Sequence, residues 1–371
     1  MRFFHISDLH IGLKLLNRDL YEDQEYILKK IVEYAREYQP DAFVLAGDIY
    51  DRAIPSAEAV GLFDTFINEL REAIPKAYIL MISGNHDSGM RLNLYRNILS
   101  KERLYSVGLP PMKKEEYVEK VTLSDEFGEV NFYLLPFVKP SMVKNVFEDA
   151  PESYNDAVKM LIEREDIDLQ KRNVIVSHQF YLPMGENPEN IKRADSEIVT
   201  VGNIDNVFAD VLYKFDYAAL GHIHKASRVK HEHIRYAGTP IACSVSEAGQ
   251  EKGFLTVDLL EKGNLNIENI ALEPLRRVRK LEGTLEDVLK EASEDYVEVT
   301  ILGDVLSSDD ITRVRSAFPS MLDIRRKGKR EEAAKKITLD EGKSEFDLMK
   351  EFLEDMSEDE ERILRDIILN M

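Results

Sequence analysis

The sequence predicts an α/β fold, a β-sandwich flanked by helices, and three observations predict it. Short apolar runs of strand length alternate with helix-period patterns through the first two-thirds of the chain. Beyond Gly221 the pattern turns to hairpins, and after Pro274 a second, smaller series of elements begins. With 371 residues the chain exceeds one average domain, and 44% apolar residues suffice to bury a core of normal density.

Phe3–Ser7 reads as the first strand, followed by a helix with Ile27, Leu28, Ile31, Ala35 and Tyr38 on one face. Asp41–Ala46 is the next buried strand. Ser56 then starts a helix carrying Val60, Phe63, Ile67 and Leu70, and Ala77–Ser83 is the third strand. Val130–Leu135, Asn173–Ser177 and Asp216–Leu220 continue the series, and Ile234–Ala237 and Gly253–Leu259 read as hairpin strands. These elements make a main domain over residues 1–272.

Residues 273–326 form a separate small α+β domain, in which Val278–Leu281, Leu285–Ala292, Tyr296–Leu302, Asp309–Phe318 and Met321–Ile324 read as β-α-β-α-β. A polar basic linker spans 327–343, within the run RRKGKREEAAKK that starts at Arg325 and could not pack a core. Two short amphipathic segments occupy 344–371. Their stripes are Phe346, Met349, Leu353 and Met356, then Ile363, Leu364, Ile367 and Met371, with a capping box of Ser357 and Glu360 starting the second.

Lys and Arg number 49 against 69 Asp and Glu, a formal charge of -20. Taken alone, that argues against a nucleic-acid binder. Metal sites need carboxylates, however, and bound cations offset them locally, so the distribution of charge matters more than the sum. One cysteine, Cys243, excludes an internal disulfide and a thiolate zinc cluster and suits a reducing cytosol. The start MRFFHISDLH lacks an apolar signal core, and no window approaches the roughly 20 apolar residues of a membrane span. The expectation is a cytoplasmic protein with no membrane contact.

Five short motifs each follow an apolar strand-like run: Asp8-Leu9-His10, Gly47-Asp48, Gly84-Asn85-His86-Asp87, Ser177-His178 and Gly221-His222-Ile223-His224. Ligands in α/β folds bind outside the carboxyl ends of strands, so dispersed motifs can build one site. The two-residue spacing of Asp8 and His10, and of His222 and His224, puts each pair on one face of an extended chain. The glycines before Asp48, Asn85 and His222 allow sharp turns where strands end.

Seven candidate ligands, Asp8, His10, Asp48, Asn85, His178, His222 and His224, are too many for one tetrahedral ion and suit two ions sharing a bridging carboxylate, for which Asp48 is the choice. Oxygen donors mixed with imidazoles suit Mn²⁺ or Fe²⁺, with Mg²⁺ or Zn²⁺ as alternatives. Two ions about 3.5–4 Å apart would activate a water for in-line displacement at phosphorus. His86 is left off the metals, to reach the scissile phosphate and protonate the leaving oxygen, with Asp51 to orient it. Any one motif alone is common by chance, and a lone strand-end His is usually a hydrogen-bonded structural residue. Five of the eight histidines falling in these motifs argues otherwise. His5 reads as packing, and His231 and His233 as an exposed hairpin.

On these residues the sequence resembles the calcineurin-like metallophosphoesterase superfamily, whose D-x-H, G-D, G-N-H-[DE], H and G-H-x-H pattern is complete here. HISDLHIG, GDIYDRAIPS, SGNHDS, DYAALGHIHK and YAGTP are similar to its bacterial SbcD nuclease branch. The resemblance implies that Asp8, His10, Asp48 and His224 hold one Mn²⁺, that Asp48, Asn85, His178 and His222 hold the other, and that His86 serves the phosphate. Some relatives carry His where this sequence has Asp51, so a second phosphate-facing imidazole is absent.

The resemblance further implies duplex-end exonuclease and single-strand and hairpin endonuclease action with an ATPase partner, SbcC, in double-strand-break repair and recombination. The small domain would cap DNA, and the terminal segments would clip onto the SbcC coiled coil, since helices that short need a partner surface. Basic runs at Arg276, Arg277, Arg279, Lys280 and Arg325–Arg330 would track phosphates. A homodimer, and a heterotetramer with SbcC, would follow. Two rivals stand beside this reading: a phosphoesterase acting on nucleotides or phosphoproteins, and a metal-free scaffold, against which the complete ligand set argues.

Overall fold

The computed structural model describes residues 1–186, 194–197, 205–303 and 305–328. By its internal contacts the chain divides into two units, Met1–Val278 and Arg279–Met371. Most of the basic linker and the whole terminal helical pair expected over 344–371 lie outside the described residues.

The first unit is a sandwich of two six-stranded sheets. Its strands are β1 (Arg2–Ile6), β2 (Ala42–Ala46), β3 (Tyr78–Ile82), β4 (Leu104–Val107), β5 (Glu119–Asp125), β6 (Gly128–Leu135), β7 (Arg172–His178), β8 (Tyr217–Gly221), β9 (Ser227–Arg228), β10 (Ile234–Tyr236), β11 (Gly253–Leu259) and β12 (Leu265–Ala271). The first sheet has the order β12-β11-β1-β2-β3-β4, parallel from β1 to β4, with antiparallel β11 and β12 added beside β1. The second has the order β9-β10-β8-β7-β6-β5, parallel from β10 through β6 and antiparallel at both edges.

Helices α1 (Tyr21–Tyr38) and α2 (Ala57–Ala73) cover the first sheet, and α3 (Tyr154–Glu163) covers the second. Both faces of each central strand are therefore buried, which is why those strands read as continuous apolar runs. Alternation survives inside them: Phe4 and Phe43 join the helix-side core, while Phe3 and Val44 meet Phe132, Val174 and Tyr217 between the sheets.

Helix α2 buries Ala59, Leu62, Phe66, Leu70 and Ala73; of the expected stripe Leu70 is buried, Phe63 and Ile67 are partly buried against the same core, and Val60 is exposed. Ser56 caps it as expected, its hydroxyl accepting from the Ala59 N–H at 3.2 Å. The edge strands Leu104–Val107, Glu119–Asp125 and Leu265–Ala271 were not foreseen; the last is mostly exposed along its length.

The second unit holds β13 (Val278–Gly283), α4 (Leu285–Lys290), β14 (Tyr296–Leu302), α5 (Ser308–Ala317) and β15 (Asp323–Lys327), in a three-stranded sheet of order β13-β14-β15. Val288, Val297, Val299, Ile301, Val314 and Phe318 form its core. Thr284 caps α4, and Ser307 with Asp310 forms a capping box on α5.

Strand β7 ends at His178 and starts at Arg172, whose side chain is only 2% exposed. The Arg172 guanidinium pairs with Asp125 at 2.5 and 3.0 Å and donates to the carbonyls of Gly128, Leu259 and Leu260 at 2.8–3.0 Å. It thus ties the second sheet to the end of β11 in the first, at the opposite end of β7 from His178.

Burial works to raise the Asp125 carboxyl, but Arg172 beside it holds it well below the usual carboxylate range. The Arg172→Met variant should lose on the order of 3–5 kcal/mol of unfolding free energy in urea at pH 7. A depressed carboxylate stabilises above its unfolded pKa of about 3.9 and progressively less as pH falls toward its folded value. The deficit should accordingly shrink below pH about 4, and a deficit constant to pH 3 would contradict this account.

Candidate metal centre

The carboxyl ends of β1, β2, β3, β7 and β8 bring Asp8, His10, Asp48, Asn85, His178, His222 and His224 together, and all but Asn85 are at most 4% exposed. Local backbone differs from the extended geometry expected for the two-residue spacings. Asp8, His10, Asp48 and His222 have φ of 55, 44, 49 and 95°. Side-chain-bearing residues avoid this left-handed region, so the strain is held by surrounding structure. The Asp8 N–H donates to Gly47 O, and the His10 N–H to Asp48 O, each at 3.0 Å. The loops after β1 and β2 are thus laced together, and both ligands of the first pair enter the site by a curl, not by pleat.

The glycines do two different things. Gly47, with φ 89°, supplies the turn. Gly84 and Gly221 have no such φ. A Cβ on Gly84 would run into the Asp48 carboxylate, and one on Gly221 into Ala46 O and the His178 ring. They permit close approach of backbone to ligand, which corrects the expectation of turns at all three.

Distances converge. His10 Nε2 lies 3.2 Å from His224 Nε2, and His178 Nε2 lies 3.2 Å from Asp48 Oδ2 and 3.0 Å from Asn85 Oδ1. His222 Nδ1 is 2.8 Å from Asn85 Oδ1, and its backbone N–H donates to Asp8 at 3.0 Å. Asp8, His10 and His224 offer ligand atoms within 4.8 Å of one another, as do Asp8, Asp48 and His178, and also His10, Asp48 and His86. The His178 Nδ1–H donates to Ala46 O at 2.8 Å, which in the neutral ring leaves the Nε2 lone pair facing inward.

His86 stands at the rim, its side chain 16% exposed and its Nε2 4.0 Å from Asp48 Oδ2. Its Nδ1 meets the backbone carbonyl of Asp51 at 2.8 Å, so the expected orienting contact runs through main chain. The Asp51 carboxylate instead lies 3.9 Å from His10 Nδ1 and beside Arg52. His5 is fully buried, bonding the Tyr217 hydroxyl at 2.9 Å and Leu220 O at 3.2 Å, a structural role as expected. His231 and His233 sit on a hairpin but are half-buried, His231 packing edge-on against Tyr213.

Electrostatics describe a site built for cations. Burial pushes the Asp8 carboxyl up to about 6. Burial would also raise Asp48, but the His178, His10 and His86 imidazoles hold it below the usual range, and Asp48 in turn lifts His178 to about 9 against its burial. Among the described residues the ion pairs of Asp8 and Asp48 run to histidines. His10 Nε2 and His224 Nε2 face each other at 3.2 Å beside the buried Asp8 and Asp48 carboxylates, a set of imidazole and carboxylate donors that a divalent cation satisfies together. The donor set therefore fits divalent metal ions.

Three residues not singled out by sequence hold the site. Asp87 accepts from the N–H groups of Ile49 and Gly84 on Oδ2 and of Tyr50 on Oδ1, at 2.9–3.1 Å, and so joins the loops carrying Asp48 and Asn85. Buried Glu247 and Lys252 stand behind His224, in a polar stretch with no periodicity to mark them. For Asp87 the signal was present, as the fourth residue of a motif already noted.

Residues 1–226 match the calcineurin-like phosphoesterase family. The chain is 32% identical over 331 residues to the SbcD component of the SbcCD nuclease of Staphylococcus epidermidis, covering 87% of this chain and 84% of that one. The chain belongs to the calcineurin-like phosphoesterase superfamily, in its SbcD branch. Residues 272–357 match the family described as type 5 capsule protein repressor C-terminal domain. Among solved structures, a dimetal phosphatase from Danio rerio is 17% identical with a TM-score of 0.41, covering 74% of this chain and 98% of that one. A protein of Thermus thermophilus is 13% identical with a TM-score of 0.38, covering 72% and 98%. Among the described residues no helix is long and apolar enough to cross a membrane.

Replacing Asp87 with Ala should release three backbone N–H groups and let both ligand loops drift. Stability should fall by about 3 kcal/mol in urea unfolding, and Mn²⁺ bound per chain should fall with it by elemental analysis. Wild-type values of both would show that the bridge holds nothing.

Proposed function

We propose that this chain is a two-metal DNA nuclease that hydrolyses phosphodiester bonds and acts with a partner ATPase of the SbcC kind at DNA ends. The observation that carries it is the complete set of seven ligand side chains at converging strand ends, in a chain whose relative is a nuclease subunit. Asp8, His10, Asp48 and His224 form one ligand set, and Asp48, Asn85, His178 and His222 the other. In support, Asp48 Oδ2 lies between the halves, 3.2 Å from His178 and 3.8 Å from His10, while Oδ1 is fixed by the His86 N–H at 2.8 Å. Mn²⁺ suits this mixture of carboxylate, amide and imidazole.

Bound there, the ions supply an activated water and charge stabilisation for in-line attack on phosphorus. The chain's own residues do the rest. Asn85 Oδ1 is set between His178 and His222, and the Nδ1 contact of His86 to Asp51 O turns its Nε2 to the open side of Asp48. From there His86 protonates the oxygen that leaves as the P–O bond breaks.

Exonuclease action on duplex ends and endonuclease action on single strands and hairpins belong to the same reading, as do roles in repair and recombination. The second unit caps DNA, and the segment 344–371 clips onto the SbcC coiled coil. A homodimer draws support from exposed apolar side chains after two site motifs: Met90, Leu94, Tyr95 and Ile98 at 59–72% exposure, and Ile54 at 73%.

The test is cleavage of end-labelled duplex and hairpin DNA by the full chain with Mn²⁺, beside a small phosphodiester. Wild type should cut DNA; His86→Ala should keep both metals by elemental analysis and lose at least about 10²-fold in cleavage. Metal loss in that variant would refute the role given to His86. Turnover of the small diester with DNA left intact, even with the ATPase partner and ATP, would favour a small-substrate phosphodiesterase. Deleting 344–371 should spare hydrolysis of the small diester and abolish co-elution with the ATPase; unchanged co-elution would remove the clip.

A further inference from the structure

Glu247 is buried behind the metal centre and takes no part in the ligand sets. It ends the turn Val245–Glu247 with its side chain 0% exposed. Its carboxylate accepts from Lys252 Nζ at 2.5 Å, Ser196 Oγ at 2.6 Å, Ser244 Oγ at 3.1 Å and the Cys243 N–H at 3.3 Å. It also lies 3.2 Å from His224 Nδ1, and Ser196 Oγ lies 2.9 Å from the same nitrogen. The serine hydroxyl hydrogen is directed to Glu247, so its oxygen is an acceptor toward the ring. Both oxygen neighbours of Nδ1 therefore accept, the nearby Cys243 thiol donates to Ile241 O, and Nδ1 carries the hydrogen.

The backbone of His224 is held by Lys252 and Glu197. Lys252 Nζ donates to His224 O at 3.0 Å, and the His224 N–H donates to the Glu197 carboxylate at 2.9 Å. Ring, N–H and carbonyl are thus fixed from one side, while Nε2 on the other side faces His10 Nε2 at 3.2 Å. An ion pair serving packing alone has no need to meet the imidazole. The buried carboxylate needs a counter-charge, and Lys252, 7% exposed, provides it.

We infer that Glu247 is the positioning residue for His224: its carboxylate fixes the Nδ1–H tautomer and ring orientation, so that the Nε2 lone pair is presented to the metal. The inference rests on reading His224 as a ligand. A carboxylate behind a ligating imidazole also makes the ring a stronger donor, and removing such a partner typically weakens metal binding about 10–100-fold.

The experiment is a Mn²⁺ titration of the full chain, free ion read by electron paramagnetic resonance, with thermal melting of each apo variant. The variants are Glu247→Gln, Lys252→Met, the two together, and His224→Ala. Positioning predicts that Mn²⁺ affinity at one of the two sites falls about 10–100-fold in Glu247→Gln and in the double variant but not in Lys252→Met. Melting temperature should instead fall in both single variants, where one buried charge is unpaired, and recover in the double.

Affinity that recovers with stability in the double variant would overturn the inference and leave Glu247 a packing residue. Should the double variant not fold, the isosteric Glu247→Gln decides, since unchanged affinity at both sites overturns the inference there too. His224→Ala separates the two readings. Loss of one ion keeps His224 a ligand whatever Glu247 does, whereas two ions bound as in wild type would remove the ligand assignment and the inference with it.

Discussion

Asp8 and Asp48 are buried side by side, and the architecture around them follows from that one constraint. A carboxylate in the interior is costly unless paired, and here backbone N–H groups supply hydrogen bonds while the groups able to offset the charge are imidazoles, which do so only when protonated. Divalent cations resolve the conflict and make ligand assembly part of the folding free energy. The strain at Asp8, His10, Asp48 and His222 is then understandable, since four left-handed residues cluster where convergence matters more than backbone comfort. What holds them is apolar: two sheets share a core through Phe3, Phe132, Val174 and Tyr217, and helices cover both outer faces.

The architecture also explains how far the site was legible. Each motif followed an apolar run because a strand buried on both faces must be apolar until it leaves the sheet, and these strands leave it at the ligands. Motif and element therefore announced each other. The curl at Asp8 and His10 was not legible, because a two-residue spacing looks the same in extended and left-handed chain. Nor was the role of Gly84 and Gly221, since a glycine needed for close approach and one needed for a turn are the same letter. Helix α2 was placed correctly and its buried face only in part: Phe63, Ile67 and Leu70 of the expected stripe do pack on the core, yet Leu62 and Phe66 are buried more completely than Phe63 and Ile67, while Val60 faces outward.

Glu247 and Lys252 escaped for another reason. Their stretch, SEAGQEKGF, is polar and irregular, the composition of a surface loop, and burial of an ion pair leaves no trace in periodicity. Residues that touch a ligand come in motifs because the ligand fixes their type. Residues that hold the ligand's holder are fixed only by three-dimensional context, and side chain, backbone N–H and backbone carbonyl of His224 are each met by a different residue.

The net charge of -20 bears on how a polyanion could approach. The basic run after Pro274 is not a set of equivalent free cations. Arg276 donates to Asp23, which is 0% exposed, at 2.8 Å, so moving it onto a phosphate would withdraw it from a buried carboxylate. Arg277 and Arg325, 64% and 63% exposed, pair with Glu273 and Asp323 at the surface, where an ion pair contributes about 0–1 kcal/mol and can exchange for phosphate. Attraction would then come from exposed side chains, these and Lys280 among them, and from the metal ions, against repulsion from the acidic remainder. Salt screens both, so affinity for DNA should depend less steeply on ionic strength than the number of phosphate contacts alone would imply.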